Sequence, residues 1–366
     1  MTMILAAPDR YVQGPGEMDK LGERVDLLGK KALCLISSSG FKRVEKSLLK
    51  TFRAAEVKVI YEHFNKECTR REIARIVKIC KNNGVDVIIG IGGGKTHDTA
   101  KGVAIDLDIP VVIVPTAAST DAPCSAQCVV YDDNGIFEEH LYMKKNPDLV
   151  LVDTEMVIQA PVRFLVSGMG DALATYFETR ACKNSGALNK VGGTATLMAR
   201  HLSDLCYETL LTYGSLAKAA AEEGTVTKAF EKIVEANILL SGIGFESGGI
   251  AAAHCIHMAL SNVAGCKKYH GEKVAFGTLV QLVLEDAPHE DIDEVLAFCT
   301  GVDLPLTLED LDIKYQVEET IKAVAAYAVE PGKSIHNMPF PVTADGVYTA
   351  IMTADAIGRR HKLGNA

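Results

Sequence analysis

Asp86-Val-Ile-Ile-Gly-Ile-Gly-Gly-Gly-Lys-Thr-His-Asp98 is the stretch on which the reading of this chain turns. An apolar run of β type ends in three glycines. A helical pattern starts at once, with Ala100, Val103, Ala104 and Leu107 spaced for one helix face. The stretch therefore reads as strand, tight turn and helix N-terminus. Without Cβ atoms, Gly92, Gly93 and Gly94 can take backbone angles closed to other residues and let a ligand approach the main chain. The helix then presents free N–H groups and the positive end of its dipole, a setting suited to a phosphate. A turn that only joins the strand to the helix is the alternative this stretch leaves open.

The same alternation extends to either side. Lys31 to Ser37 reads as a buried strand, followed by a helix to about Ala55 and a second strand from Val57 to Phe64. Thr69 is placed to cap the next helix with Glu72 three residues on, and Ile73, Ile76, Val77 and Cys80 mark its buried face, which ends at Asn82-Asn83-Gly84. Pro110 to Pro115 gives another buried strand. Gln127 to Tyr131 and Ile136 to Leu141 flank Asp132-Asp133-Asn134-Gly135 as a hairpin, and Leu149 to Val152 is a last strand. Strands alternating with helices indicate an α/β unit with a parallel sheet, whose ligands sit at the C-terminal ends of the strands. Both the glycine turn and Thr116-Ala117-Ala118-Ser119-Thr120-Asp121 lie there. Beyond Asp153, helical periods dominate, as in Val226, Phe230, Ile233 and Val234. The expected fold is an α/β dinucleotide-binding domain over 1–160, a parallel sheet with flanking helices, and an all-helical domain over 161–366.

Bulk properties narrow the function. A chain of 366 residues is expected to form about two domains, and 48% hydrophobic with 23% charged residues fits a soluble protein with a large core. A net charge of −9 with no long basic run argues against nucleic acid as a partner. The N-terminal residues lack the basic region of a secretory signal. Ser247 to Cys266 has no Asp, Glu, Lys or Arg, but its two histidines, its glycines and Asn262 favour a buried helix over a membrane span. Ten cysteines with no Cys-x-x-Cys pair point to reduced thiols and a cytoplasmic location.

In the helical half, Asp171 lies in Gly168-Met-Gly-Asp-Ala-Leu-Ala174, at what reads as a helix start, where capping alone would account for it. His254 and His257 are three residues apart on neighbouring parts of one helix surface, and His270 follows in Tyr269-His-Gly-Glu-Lys-Val274. One carboxylate with two or three imidazoles is a usual ligand set for a divalent metal. Spacing alone does not bring Asp171, His254 and His270 together.

Six segments carry a resemblance. Gly-Ile-Gly-Gly-Gly-Lys-Thr at 90–96 with Asp98, Pro-Thr-Ala-Ala-Ser-Thr-Asp-Ala-Pro-Cys-Ser at 115–125 and Gly-Asp-Ala-Leu-Ala-Thr at 170–175 are the first three. Glu-Ser-Gly-Gly-Ile-Ala-Ala-Ala-His at 246–254, Tyr-His-Gly-Glu-Lys-Val-Ala-Phe-Gly at 269–277 and Ile-His-Asn-Met-Pro at 335–339 complete the set. Together they resemble the glycerol-oxidising branch of the iron-containing, or type III, alcohol dehydrogenases over nearly the whole chain. The resemblance implies a dehydroquinate-synthase-like fold and reversible, NAD-dependent oxidation of glycerol to dihydroxyacetone, with other vicinal diols as further substrates.

It also implies Asp171, His254 and His270 as ligands of one Zn2+ per subunit, Fe2+ or Mn2+ being alternatives, which makes His254 part of the catalytic centre. Thr175 stands where many iron-dependent relatives have a fourth, histidine ligand. His257 falls beside the ligands or in the substrate pocket. Asp121 is expected beside the substrate, although as a residue before Ala122-Pro123 it also reads as a turn former. Gly93, Gly94, Lys95, Thr96, His97, Asp98, Thr116, Ala117, Ala118, Ser119, Ser125, Gln127 and Tyr131 are expected around the cofactor. Ser37, at the end of the first strand, occupies the place of an aspartate that would bind the adenine ribose, so NADP joins NAD as a candidate. The resemblance further implies a homo-oligomer, an octamer among its sizes, acting on a small polyol. Glycerol-1-phosphate dehydrogenase, a dehydroquinate-synthase-like lyase and a nucleotide-binding protein without catalysis are the competing readings. The first two call for cationic substrate contacts, which the 115–125 loop lacks, and the last for a lost metal triad.

Overall fold

In the computed structural model, which describes residues 2–364, the run from Val87 is an interior strand of a six-stranded sheet. The strands are β1 (Tyr11–Gly14), β2 (Lys31–Ile36), β3 (Lys58–His63), β4 (Val87–Gly92), β5 (Val111–Pro115), the hairpin β6 (Gln127–Tyr131) and β7 (Phe137–Tyr142), and β8 (Leu149–Asp153). The sheet order is β1-β8-β5-β4-β2-β3, with every neighbouring pair parallel. Four helices accompany it: α1 (Leu21–Asp26), α2 (Ser38–Ala54), α3 (Arg70–Asn83) and α4 (Gly94–Leu107).

Both faces of the interior strands are covered, which is why they read as continuous apolar runs and not as alternating ones. Ala32, Cys34, Ile36, Val87, Ile89 and Ile91 pack with Leu21, Val25, Leu48 and Phe52 of α1 and α2. Leu33, Leu35, Ile88, Val111 and Ile113 turn the other way, onto Ile73, Ile76, Ala100 and Val103 of α3 and α4. Each Val, Leu, Ile or Phe side chain among these contributes about 1.5–3 kcal/mol by burial. The second of these clusters runs on without a break into the helical half as far as Ala354.

From Thr154 the chain is helical: α5 (Thr154–Val157), α6 (Val162–Ser185), α7 (Leu197–Glu222), α8 (Lys228–Glu235), α9 (Ser241–Gly248), α10 (Ala252–Ser261), α11 (His270–Leu284), α12 (His289–Gly301), α13 (Val317–Ala328) and α14 (Ala344–Gly364). A π-helical turn, Ala236–Leu240, joins α8 to α9.

One strand went unread and three expectations are corrected. The edge strand β1 was not signalled in the sequence, because its four residues are all half-buried and show no alternation. Thr69 caps α3 by accepting from the Glu72 N–H at 3.1 Å, but the Glu72 carboxylate turns to Asn65 and Arg75 instead of closing a capping box. Asp171 sits in the middle of α6 and not at a helix start, since the helix begins nine residues earlier at Val162. The uncharged run from Ser247 is not one buried helix. It breaks at Gly249, whose φ of +103° no helix accommodates, and the segments on either side meet at 102°. No single helix among the described residues is long and apolar enough to cross a membrane.

Candidate active site

Chain order fixes where the crevice lies. From β2 the chain adds β3 on one side and then returns to add β4 on the other, so the C-terminal ends of β2 and β4 form the switch point where open parallel sheets bind ligands. The Gly92-Gly93-Gly94 turn leaves β4 there. Gly93 is the N-cap of α4 and offers no side chain to the first N–H groups, which remain for a ligand. A Cβ placed on Gly93 or Gly94 would meet nothing within 4 Å, whereas one on Gly92 would lie 2.7 Å from Thr96 Oγ1. Gly93 and Gly94 thus face open space at a helix N-terminus, as a pyrophosphate requires. Beside them, a cavity of about 150 Å3 is lined by Gly40, Arg43, Ile91 and Thr116 among others.

Burial divides the residues expected around a cofactor. Gly93, Gly94, Lys95, Thr116, Ala117, Ser119, Gln127 and Tyr131 keep surface open to solvent, while Thr96, His97, Asp98, Ala118 and Ser125 are buried beneath them. Lys95 pairs with Glu67 and lies 5.2 Å over the Tyr131 ring. The Gln127 side-chain oxygen is buried without a protein partner, an acceptor that a bound group would satisfy. Burial and the Lys101 ammonium push the His97 imidazole down to about 3, so it is neutral, and both ring nitrogens lack partners. Burial pushes the Asp98 carboxyl up to about 7 against the pull of Lys101. Ser37 ends β2 and caps α2, its hydroxyl accepting the Gly40 N–H at 3.1 Å, next to a Ser38–His63 contact of 3.0 Å.

The helical half brings three side chains together against Asp121 of the loop after β5. Asp171 on α6, His254 on α10 and His270 at the first position of α11 converge, one donor atom from each lying within 4.8 Å of the others. Asp171 Oδ1 faces His270 Nε2 at 2.9 Å and His254 Nε2 at 3.3 Å, and its Oδ2 accepts the Asp121 N–H at 3.2 Å. The approach depends on a glycine. A Cβ on Gly271 would lie 1.7 Å from the Ser167 carbonyl oxygen of α6, so only a bare backbone lets α11 come close enough for His270 to reach Asp171.

Electrostatics favour a cation here. Asp121, Asp171 and Glu178 are three buried carboxylates around the buried His254 and the part-exposed His270. Buried charge of one sign is costly unless it is compensated. Burial alone would raise the Asp171 carboxyl, yet the His270 and His254 imidazoles outweigh it and hold it well below the usual range. Burial would lower His254, but Glu178 and Asp171 keep its imidazole well above its ordinary value. Asp121 is pushed up to about 8, by burial first and by the Asp171 charge second. One carboxylate oxygen facing two imidazole nitrogens is the donor set of a three-ligand divalent site with one open position. His257 adjoins it, its ring 4.2 Å from that of His270.

Four residues not singled out in the sequence complete the arrangement. Glu178 binds His254 Nδ1 as well as two backbone N–H groups. Its signal was available, since Asp171, Thr175 and Glu178 share one face of α6 at i, i+4 and i+7. Ser241 donates to Asp121 Oδ2 at 3.0 Å and contacts Thr175 Oγ1 at 2.9 Å. Asn237, inside the π-helical turn, donates to the Ala118 carbonyl at 3.0 Å. Glu246 accepts the Ala126 N–H at 2.7 Å and binds Asn146, tying α9 to the end of the 116–127 loop. Nothing in the spacing of these last three announces the contact, because each partner lies 66 residues or more away.

Residues 8–154 match the family described as iron-containing alcohol dehydrogenase. A glycerol dehydrogenase of Thermotoga maritima is 50% identical over 97% of this chain and 97% of its own length. That of Citrobacter freundii is 46% identical over 98% and 99%. The chain belongs to the iron-containing alcohol dehydrogenase family. The crystal structure of a probable glycerol dehydrogenase from Sinorhizobium meliloti 1021 superposes with a TM-score of 0.92 at 43% identity, covering 98% of this chain and 99% of that one. As a member of this family of metal-dependent alcohol dehydrogenases, the chain is an oxidoreductase.

Proposed function

We propose that the chain catalyses the reversible oxidation of glycerol to dihydroxyacetone, with hydride passing to NAD and a zinc ion held by Asp171, His254 and His270. The observation that carries this reading is the convergence of those three donors beside Asp121 of the loop after β5. The full-length similarity to glycerol dehydrogenases supports the same substrate. In this reading residues 1–160 hold the dinucleotide and residues 161–366 hold the metal.

A divalent cation supplies Lewis acidity to an alcohol oxygen, and a nicotinamide supplies the hydride acceptor. The chain's own residues do the rest. The N–H groups after Gly93 would hold the pyrophosphate, and Thr116, Ala117, Ser119, Gln127 and Tyr131 would line the cofactor's path, with Ser125 buried beneath them. Lys95, Thr96, His97, Asp98 and Ala118 support the turn and the loop. Asp121, fixed through its N–H by Asp171 and through its carboxylate by Ser241, offers an acceptor to the second hydroxyl of a vicinal diol. His270, a third exposed at its side chain, marks the side from which substrate enters.

A phosphorylated substrate is less well served. Lys101 reaches the 115–127 loop from α4, but its ammonium donates to the Ala122 and Gln127 carbonyls at 2.7 and 3.1 Å. NADP as acceptor is a second reading, favoured by one observation: hydroxyls and an imidazole, Ser37, Ser38 and His63, stand at the ends of β2 and β3, where a carboxylate would repel a 2′-phosphate. Assembly into a homo-oligomer, an octamer included, and a cytoplasmic location belong to this proposal too, the latter in keeping with ten unpaired cysteines. A panel of glycerol, 1,2-propanediol, 2,3-butanediol and glycerol-1-phosphate with each dinucleotide tests it. Glycerol-dependent NAD reduction that is lost on chelation and restored by Zn2+ is expected, and absence of diol-dependent reduction with either dinucleotide would refute it.

A further inference from the structure

We infer that Glu178 is a positioning residue that sets the tautomer of His254 and so creates the metal-binding nitrogen; the inference rests on the metal reading above. α10 begins without a cap of its own, since Ala251 at its N-cap has no side-chain acceptor. Glu178 supplies the acceptor from another helix. Its Oε1 takes the N–H groups of Ala251 and His254 at 2.8 and 2.9 Å, and its Oε2 meets His254 Nδ1. The side chain is wholly buried, so no water competes for these lone pairs.

A carboxylate so occupied only accepts. It therefore requires a proton on Nδ1, and the lone pair that a cation needs falls to Nε2, the nitrogen that faces Asp171. The position of Glu178 on α6 makes this geometry rigid. Asp171 and Glu178 are two turns apart on one helix face, so the same helix holds His254 from both ring nitrogens. Partners of this kind, which orient a ligating imidazole, typically change metal affinity 10–100-fold.

Glu178→Gln separates this role from capping. The Gln oxygen can keep both backbone N–H groups, which leaves its NH2 against Nδ1. That nitrogen must then accept, and the ring proton moves to Nε2. The expected result is a 10–100-fold weaker affinity for Zn2+ and Co2+ by chelator competition, with the metal-free form still folded. Glu178→Asp keeps an acceptor-only group and is expected to bind metal at least tenfold more tightly than Glu178→Gln. Wild-type metal affinity in Glu178→Gln, or an equal loss in both variants, would overturn the assignment and leave Glu178 a cap alone. If Glu178→Gln does not fold, Glu178→Asp decides against wild type: affinity within tenfold supports the inference and a larger loss overturns it. Wild-type protein that binds no stoichiometric metal would instead defeat the metal reading itself, and this inference with it.

Discussion

Replacing Gly271 by alanine tests how the metal centre is built. The added Cβ would stand 1.7 Å from Ser167 O, 2.7 Å from Ser167 C and 2.8 Å from Asp171 N, all backbone atoms inside α6. No side chain can swing aside. Real Cβ contacts essentially never fall below 3.0 Å, so the two helices must part by about 1.3 Å there. His270 precedes Gly271 directly and moves with it, while Asp171 stays on α6. Ligand distances tolerate about 0.2 Å, so a shift several times larger pulls one of three donors out of range. Overpacking of this kind costs about 3 kcal/mol, the upper end of its usual range, because both sides are main chain.

Stability loss alone would not discriminate, so a matched control is needed. Gly22→Ala makes the same type of clash, 2.3 Å from Thr51 O between α1 and α2, on the sheet side of the protein. Zinc affinity by chelator competition and urea unfolding are measured for both variants. Both are expected to lose stability, but only Gly271→Ala should lose metal affinity, by more than tenfold. Equal affinity in the two variants would refute the argument that helix approach places His270 at the centre.

Two further outcomes follow from the same geometry. Gly93 has a φ of −99°, open to any residue, and free space where its Cβ would be, so Gly93→Ala should unfold like wild type while its cofactor KM rises at least tenfold, about 1.4 kcal/mol; an unchanged KM would make the turn a mere connector. In chelated protein, His254 is held above its ordinary 6.5 by Glu178 and Asp171 against the effect of burial, so its contribution is complete below about pH 6.5 and lost as pH rises toward the folded value. Asp121, protonated up to about pH 8 in the folded chain, acts in the same direction. Urea midpoints of the metal-free protein should therefore fall from pH 6.5 to 9, and a flat or rising profile would contradict this account of the buried charges.

Much of the cofactor side was legible in the residues. Strand, turn and helix around Gly92 to Gly94 are local, and local apolar patterning plus glycine positions suffice to read them. Asp171 was legible as chemistry but not as position. Val162 to Asp171 contains two glycines, and Pro161 before it offers no capping side chain, so propensity alone starts the helix too late, whereas packing of Leu165, Val166 and Met169 into the core carries it back to Val162. Ser241 and Asn237 were not legible at all. A π-helical turn sets which way they face, and only their partners on the 118–121 loop reveal it.

What the sequence determined by itself was the set of elements, their α/β-then-helical order and the three donor types, because periodicity, turn chemistry and side-chain identity are properties of neighbours along the chain. What only the tertiary structure decided was that Asp171, His254 and His270 share one point, that Glu178 stands behind them, and that Asp121 of the loop after β5 lies against them. The physical reason lies in the backbone contacts. Two helices about 100 residues apart in sequence, α6 and α11, approach closely where Gly271 removes a side chain, and the charges they share with His254 of α10 gather into the candidate metal site.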